Sequence, residues 1–322
     1  MRALLVGNYG VGNLGDEALR DYFLARFPDA EWTVVTARPR ESREVPRLPC
    51  GFRSLFSFRW MRTLRALWNS DVLVFGGGSL FTDAESVRAC VLWWVHAAAA
   101  WLLRKPFFLA FQGIGPFRTT AGEALTRWVL ARAAFVSVRD ELSFGRAGGG
   151  AGRGVLQSFD PVFLLMEERK TEKSPRGVLT VIPRRNSPVA DLQGRIADRL
   201  RRQAFASIRI LSFQPDDPAE KLVVSRLVSA FPEAAVVPVA SLENLAWEVA
   251  QSSFVLSARY HGALAALAQD VPFETVQQEE GDKLDTLFRF SSATRGIWRA
   301  RAEEGEWALR KALHHVAGKK GS

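Results

Sequence analysis

The sequence has few of the residues that form disulfides or bind metals. Its 322 residues include two cysteines and four histidines. Cys50 and Cys90 are too few for a disulfide framework, and neither has a further ligand at the spacing of a metal site. We therefore expect a reduced, cytoplasmic protein that holds no metal ion.

Long hydrophobic runs are absent as well. The longest nearly apolar stretch, CVLWWVHAAAAWLL at 90–103, has 14 residues and contains His96. A membrane-spanning helix needs about 20 apolar residues, so the stretch predicts a buried helix with His96 in the core. The N-terminus lacks the basic segment and apolar stretch of a signal peptide, which again favours a cytoplasmic protein.

Lysine is scarce, but positive charge is not. Only 8 of the 43 basic residues are lysines, and the net charge is +9. An excess of arginine favours anionic partners such as phosphorylated metabolites, acidic membrane surfaces or nucleic acid; compositional bias is the alternative explanation. The sequence contains no RNP-like, zinc-finger or helix-turn-helix signature, so nucleic acid is not an expected partner.

Short apolar strands alternate with helical patterns along the chain. The predicted strands are 3–7, 32–36, 71–75, 106–111, 135–139, 177–183, 207–213, 234–239, 254–259 and 271–276. This order predicts an α/β protein with parallel, doubly wound sheets.

The charged stretch EERKTEKSPRG at 167–177 has no apolar periodicity and is interpreted as an interdomain linker. We therefore predict two Rossmann-like domains facing a cleft, one at 1–168 and one at 176–322. The last helix, near 302–316, is expected to pack back on the body of the protein.

The loop after the first strand resembles a dinucleotide-binding loop in its spacing. GNYGVGNLGDEALR, at 7–20, has glycines in the G-x-G-x-x-G arrangement. Such a loop places a pyrophosphate at the start of the next helix, where Asp16 and Glu17 would repel it. The second predicted strand ends in TVVTARPR, without the acid that binds a ribose. Its arginines would suit NADP, but the two carboxylates disfavour an NADP-dependent reductase.

Asp16 is also explained as a helix N-cap. A cap alone does not account for the other polar side chains of the loop, which are Asn8, Tyr9 and Asn13. We therefore interpret the loop as a binding site whose glycines let a ligand approach the backbone.

Polar residues or glycines follow three later strands of the first half. They are Gly77, Gly78 and Asp83 in GGGSLFTD, Gln112 in FQGIGPF, and Arg139 in SVRDELS. Ligands of open α/β sheets bind at the carboxyl ends of the strands, so we expect these residues to line a site together with the first loop.

In the second half, SARYHGALAAL at 257–267 places Arg259 and His261 between a strand and a helix of small residues. A helix N-terminus flanked by Arg and His suits a phosphate or carboxylate. His314 and His315 are interpreted as solvated helix residues.

Taken in order, six motifs resemble the polysaccharide pyruvyl transferase family. They are GNYGVGNLGDEAL, FGGGSLFTD, FQGIGP, SVRDELS, FDPVF and SARYHGALAAL. The similarity extends from residue 1 to about residue 290. It implies a GT-B-like fold and an enzyme that transfers a pyruvyl group from phosphoenolpyruvate, without a cofactor. The implied acceptor is a pair of sugar hydroxyls in a cell-surface glycan or its lipid-linked precursor, which become a ketal as phosphate is released.

The resemblance also implies donor-binding residues. Arg139 and His261 match positions that the family uses for the donor, and Lys283, in EEGDKLDTL, is the candidate for a lysine that follows the RxH motif. The family often has Asp-Pro before this lysine, and here the proline is missing. With Arg259, these cations suit an anion that carries a phosphate and a carboxylate.

Ketal formation needs a general acid and a general base. His261 is the candidate acid, or alternatively a phosphate ligand that protonates the leaving group. Asp16 is the candidate base or acceptor-hydroxyl ligand, with Glu17 the less favoured choice. The candidate acceptor-binding residues are Asn8, Tyr9, Asn13, Asp16, Glu17, Gly77, Gly78, Asp83 and Gln112.

Two other functions share these features. One is a GT-B-type glycosyltransferase that uses a nucleotide sugar, and the other is a non-catalytic protein that binds a glycan or an anion. They would differ from a pyruvyl transferase in the donor bound and in whether phosphate is released.

The segment 52–68 suggests peripheral contact with the inner face of a membrane. From Arg38 to Arg65 there are eight arginines and two glutamates, with Phe56, Phe58 and Trp60 among the interleaved aromatics. A basic, aromatic amphipathic helix can lie on an anionic bilayer. The alternative is an ordinary helix packed on the sheet with a solvated arginine face.

Overall fold

The computed structural model describes residues 1–84, 86–149, 154–169, 177–276 and 295–318. The chain forms two compact units, one of Met1–Val162 with Trp298–Ser322 and one of Phe163–Ile297. This division differs from the sequence-based boundaries in two ways. The first segment ends at residue 162 instead of 168, and the C-terminal segment belongs to the first unit.

The first unit contains a seven-stranded sheet. Its strands are β1 (Arg2–Val6), β2 (Glu31–Thr36), β3 (Glu44–Pro46), β4 (Val72–Phe81), β5 (Phe107–Ile114), β6 (Phe135–Val138) and β7 (Leu156–Gln157). They lie in the order β3-β2-β1-β4-β5-β6-β7, and every neighbouring pair is parallel. The order reverses between β1 and β4, and ligands of such sheets bind at the carboxyl ends beside the reversal.

Within the described residues, six helices connect these strands. They are α1 (Leu14–Arg26), α2 (Phe52–Leu55), α3 (Met61–Asn69), α4 (Val87–Leu102), α5 (Thr120–Leu130) and α6 (Glu141–Arg146). The start of α1 is set by Asn13, whose side chain accepts the Gly15 N–H at 3.1 Å. Nearly every residue of β4 and β5 is buried. Strands covered on both faces read as continuous apolar runs, which is why the sequence pattern found them.

The second unit contains a five-stranded sheet. Its strands are β8 (Val178–Ile182), β9 (Ser207–Ser212), β10 (Ala235–Pro238), β11 (Phe254–Ser257) and β12 (Phe273–Thr275). They lie in the order β10-β9-β8-β11-β12 and all pair in parallel. The helices described in this unit are α7 (Val162–Glu168), α8 (Val189–Arg202), α9 (Pro218–Ala230), α10 (Leu242–Ala250) and α11 (Tyr260–Ala268). The first residue of α7, Val162, is the last residue of the first unit's main segment. Here the strand order reverses between β8 and β11.

The last helix, α12 (Arg295–Gly318), joins the first unit from Trp298 onward. The hydroxyl of Tyr22 donates to Glu306 Oε2 at 2.8 Å, and Arg310 donates to the carbonyl of the last residue of α1 at 2.8 Å. Gly305 lies so close to the chain after β7 that an added Cβ would be 2.0 Å from Ser158 Oγ. These contacts to α1 and β7 explain why the C-terminal segment is not part of the second unit.

Two predicted elements have different bounds in the structure. The strand predicted to end at residue 75 continues as β4 to Phe81, because pairing with β5 resumes beyond a register shift that follows Gly78. The amphipathic helix expected within 52–68 is instead two helices, α2 and α3. Phe58 lies between them with φ +48°, a left-handed backbone conformation that interrupts a helix. The two-domain α/β architecture with parallel sheets is confirmed.

No helix within the described ranges combines the length and hydropathy needed to cross a bilayer. The apolar stretch at 90–103 forms most of α4, as predicted. Within it His96 is fully buried, and burial lowers the pKa of its imidazole to about 4. One ring nitrogen accepts the Leu48 N–H at 3.0 Å and the other lies 2.8 Å from Leu92 O. His96 is therefore a neutral core residue that attaches the chain after β3 to α4.

Candidate active site

Asp16 lies in the first turn of α1, directly after the loop that follows β1. Asn8 Nδ2 donates to Asp16 Oδ2 at 2.9 Å, and Arg47 Nη2 donates to Asn8 Oδ1 at 2.9 Å. Because the amide oxygen accepts from arginine, the amide nitrogen must face Asp16. The partly exposed carboxylate of Asp16 is thereby oriented at a helix N-terminus, which also stabilises its charge. It can accept a hydrogen bond from a hydroxyl and take up its proton.

Arg47 is a site residue that the sequence did not reveal. Besides Asn8, it donates to the carbonyl of Tyr9 at 3.3 Å, and its guanidinium lies 5.2 Å from the centre of the Trp93 ring. Burial lowers the pKa of Arg47, while the charge of Asp16 acts in the opposite direction. The only sequence signal for Arg47 was the arginine-rich composition of its segment.

Glu17 shapes the loop, and so does Asn13 as the cap of α1. Glu17 Oε1 accepts the Gly10 N–H at 2.7 Å, and Glu17 Oε2 lies 3.0 Å from Arg20 Nη1. Both carboxylate oxygens of Glu17 therefore have partners within the first unit. This leaves Asp16 as the better-placed candidate base, in agreement with the sequence-based ranking.

Tyr9 does not offer its hydroxyl to a ligand. The side chain is 1% exposed, and its hydroxyl donates to the Gly76 carbonyl at 3.0 Å. Burial, reinforced by the charge of Asp16, holds the pKa of Tyr9 well above its usual value, so the phenol stays protonated. The predicted role of Tyr9 in acceptor binding is therefore corrected to a supporting one, because its polar atom is used to fasten the loop to β4.

Gly77 and Gly78 let β4 pass close to α1. Both have left-handed φ values, +80° and +83°. A Cβ on Gly77 would be 2.8 Å from Leu19 Cδ2, and one on Gly78 would be 3.2 Å from Asp16 Oδ1. The glycines thus place bare backbone beside the Asp16 carboxylate, and their role in acceptor binding stays a prediction.

Asp83 and Gln112 were predicted to bind the acceptor, but the structure places both in the interior. Asp83 is 4% exposed and accepts from the Arg118 and Thr119 N–H groups at 2.6 and 2.8 Å and from the Thr119 hydroxyl. Burial alone would raise the pKa of Asp83, but these hydrogen bonds lower it on balance. Asp83 thus anchors the turn before α5. Gln112 is fully buried and donates to the Phe75 carbonyl at 3.0 Å, so it links β5 to β4.

Arg139 is buried, in contrast to its predicted role in donor binding. Its side chain is 2% exposed, with Nη1 2.9 Å from Asp160 Oδ2 and Nη2 2.8 Å from Ser79 Oγ. Asp160, from the FDPVF motif, is completely buried. Gly113 makes room for the guanidinium, since a Cβ there would be 3.1 Å from Arg139 Nη2. A donor ligand needs an accessible guanidinium, so the structure corrects Arg139 to a member of a buried ion pair within the first unit, where it contacts Ser79 of β4 and Asp160 of the segment after β7.

A stability experiment tests this correction. Asp160→Asn should lower the free energy of unfolding by about 3–5 kcal/mol, because it removes the buried carboxylate 2.9 Å from Arg139 and leaves the more distant Asp140, at 3.9 Å. Glu123→Gln, which breaks the exposed pair with Arg127, is the matched control and should cost roughly 0.5 kcal/mol or less. Urea denaturation measures both. Unchanged stability of Asp160→Asn, combined with weakened donor binding, would restore Arg139 as a donor ligand.

In the second unit, Arg259 lies at the reversal between β8 and β11. It is the N-cap of α11, and its Nε donates to the Pro183 carbonyl at 2.9 Å. One Nη pairs with Glu220, a fully buried residue whose Oε1 also accepts the Phe213 N–H at 2.8 Å. Arg259 is therefore held rigidly at the carboxyl edge of the sheet.

Positive charge is concentrated around Arg259. Burial lowers the pKa of Arg259; the ion pair with Glu220 opposes this, and the nearby charges of Arg184 and Arg185 lower it further. His261 follows in the first turn of α11, half-buried, with its ring edge-on to Tyr260 at 5.4 Å. A helix N-terminus with three arginines and a histidine is suited to a small polyanion.

Two other predictions concern ligands. Lys283 lies outside the described residues, so its predicted role stays a prediction. Among the residues that the structure describes, no group of three or more His, Cys, Asp or Glu side chains could hold a metal ion.

A family comparison covers most of the chain. The family described as polysaccharide pyruvyl transferase matches residues 13–273. The chain belongs to the polysaccharide pyruvyl transferase family. It is accordingly a transferase that acts in polysaccharide biosynthesis, with a glycan acceptor. A comparison with curated proteins finds no match.

Solved structures similar to this pyruvyl transferase share its fold. S. aureus MnaA in complex with UDP is 12% identical, with a TM-score of 0.60, over 93% of this chain and 86% of the other. UDP-N-acetylglucosamine 2-epimerase from Rickettsia bellii is 11% identical, with a TM-score of 0.60, over 98% and 97%. Anabaena HepE in complex with UDP and glucose is 12% identical, with a TM-score of 0.59, over 98% and 100%. At these identities the likeness shows the fold alone, and it confirms the predicted GT-B-like class.

The structure also adds candidate site residues that the sequence reasoning missed. In the first unit this residue is Arg47, and in the second unit they are Arg184, Arg185 and Glu220. The RR pair after β8 was a usable signal, because it follows a predicted strand. No sequence signal indicated Glu220, because it becomes a partner of Arg259 only through the packing of α9.

Proposed function

We propose that this protein transfers a pyruvyl group from phosphoenolpyruvate to two hydroxyls of one sugar, forming a ketal and releasing phosphate. The sugar belongs to a cell-surface glycan or to its lipid-linked precursor, and the reaction takes place in the cytoplasm. Family membership supports the reaction class. The observation that carries the choice of donor is the cationic edge of the second sheet.

Phosphoenolpyruvate has the charge and size that suit this cationic edge. It presents a phosphate and a carboxylate, and arginine binds either group through two parallel hydrogen bonds. Arg259 is fixed by Glu220 before any ligand arrives, so little side-chain entropy is lost on binding. Arg184 and Arg185 add charge, and the N–H groups at the start of α11 add aligned dipoles.

In the proposed chemistry, a proton is added to the methylene carbon of the donor and an oxocarbenium-like centre develops at the neighbouring carbon. A sugar hydroxyl attacks this centre and loses its proton to a base. Phosphate then leaves with the bridging oxygen, which leaves a second oxocarbenium-like centre at the same carbon. The second hydroxyl adds to this centre and loses its proton to the departing phosphate, which closes the ketal. We assign the proton donor, or the ligand of the departing phosphate, to His261. We assign the base to Asp16, which Asn8 and Arg47 orient.

A GT-B-type glycosyltransferase is the second candidate, because similar structures contain UDP and glucose or UDP alone. The two functions release different products. Purified protein should release phosphate from phosphoenolpyruvate only when a suitable sugar is present, and the sugar should gain the mass of pyruvate less one water. Release of a nucleoside diphosphate from a nucleotide sugar, with none from phosphoenolpyruvate, would establish the alternative. Donor binding without turnover on any glycan would indicate a non-catalytic protein.

A further inference from the structure

The segment from Leu55 to Trp68 exposes an unusual amount of apolar surface. Five large hydrophobic side chains in it are between 45% and 66% exposed. They are Leu55, Phe56, Phe58, Met61 and Trp68. Soluble proteins rarely expose such side chains in a cluster unless something covers them. We call these residues, together with Arg59, Arg62 and Arg65, the 55–68 surface.

The local fold keeps the 55–68 surface exposed to solvent. Helix α3 buries Thr63 and Leu67 against the first unit, and the Thr63 hydroxyl donates to the Pro46 carbonyl. Met61, Arg65 and Trp68 are spaced by four and three residues, so they share the opposite face of the helix. Before the helix, the indole N–H of Trp60 donates to the Leu55 carbonyl at 2.9 Å. The turn before α3 is therefore stabilised by a hydrogen bond within the segment itself.

The charge of the segment indicates which partner covers it. Residues 45–70 contain five arginines and no aspartate or glutamate. Arg59, Arg62 and Arg65 are all exposed beside the apolar side chains. A second copy of this chain would place Arg59, Arg62 and Arg65 of one surface against the same three arginines of another, which is repulsive. An anionic bilayer provides both the negative charge and the apolar layer that aromatic side chains enter.

We infer that the 55–68 surface binds peripherally to membranes rich in anionic phospholipid, with Phe56, Phe58, Met61 and Trp68 inserted at the headgroup boundary and the three arginines among the phosphates. This inference does not depend on the proposed reaction, because it concerns a surface separate from the candidate site residues. It extends the sequence-based hypothesis for residues 52–68 by specifying which side chains make the contact.

Sedimentation with lipid vesicles tests the inference. Wild-type protein should sediment at low salt with vesicles of phosphatidylglycerol and phosphatidylcholine, but not with phosphatidylcholine alone, and high salt should release it. Each arginine near an anionic surface contributes roughly a fivefold gain in binding, so Arg59→Gln, Arg62→Gln and Arg65→Gln combined should weaken binding by about 10²-fold. The combined variant Phe56→Ser, Phe58→Ser and Trp68→Ser should also lose binding.

Matched controls separate this surface from the general positive charge of the protein. The combined variant Arg127→Gln, Arg201→Gln and Arg202→Gln removes the same charge at other exposed positions, and Trp307→Ser removes an exposed aromatic side chain on α12. Both controls should bind like the wild type.

Three results would overturn the inference. One is equal loss of binding in the two arginine variants, and another is no sedimentation of wild type at low salt. The third is a stable dimer without vesicle binding that the aromatic variant converts to monomers, since this would assign the surface to a second copy.

Discussion

Asp16→Asn is expected to lower the rate of pyruvyl transfer by about 10²–10⁴-fold, the contribution of a well-placed general base. Asparagine has almost the same shape as aspartate, and its amide oxygen can still accept from Asn8 Nδ2, which lies 2.9 Å from Asp16 Oδ2. The substitution therefore removes the ability to take up a proton and leaves the loop in place. Acceptor-dependent release of phosphate from phosphoenolpyruvate measures the effect.

Asp21→Asn is the matched control for this experiment. Asp21 lies on the same helix, and its side chain is 61% exposed beside Arg20. The same chemical change there should leave the rate unaltered. If Asp16→Asn retains wild-type activity while its thermal stability is unchanged, Asp16 is not the base. The glycine-rich loop would then be only an acceptor-binding or structural element.

His261→Gln is expected to lower phosphate release by a similar factor, about 10²–10⁴-fold, because glutamine cannot donate a proton at neutral pH. His315→Gln is the matched control, since His315 is exposed near the end of α12. Kinetics against the phosphoenolpyruvate concentration separates the two roles assigned to His261. A lower kcat with an unchanged KM indicates the general acid, and a raised KM for the donor indicates a phosphate ligand. Wild-type kinetics in His261→Gln would contradict both roles.

The buried Arg139–Asp160 pair changes how the family motifs are interpreted. SVRDELS and FDPVF provide the two partners, which are 21 residues apart and meet at 2.9 Å. The motifs therefore describe one internal contact of the first unit. The candidate cations for the proposed anionic donor lie instead in the second unit, where Arg184 and Arg185 are near Arg259.

Much of the architecture was predictable because backbone preference and burial are encoded locally. Strands covered on both faces must be continuously apolar, so β1, β4, β5 and β8 were found from composition alone. The Gly-rich loop, the helix it starts and the buried state of His96 also followed from local pattern. The strands that were missed, β3 and β7, have three and two residues. Runs that short carry no detectable periodicity.

The site was only partly predictable. The sequence shows which polar residues lie near strand ends, but it does not show which of them form their hydrogen bonds inside the protein. Tyr9, Asp83, Gln112 and Arg139 all lie near strand ends, yet each has at least one polar atom bonded to a partner inside the first unit.

By itself, the sequence determined the parallel α/β order, the excess of arginine and the positions of Asp16, Arg259 and His261 at the starts of helices. Only the tertiary structure decided that Arg47 orients Asp16 through Asn8, that Glu220 fixes Arg259, and that α12 returns to α1. The partners in these contacts are 39, 39 and 284 residues apart. Local sequence specifies backbone conformation and the direction of burial, whereas the pairing of distant polar groups depends on how the helices and strands pack.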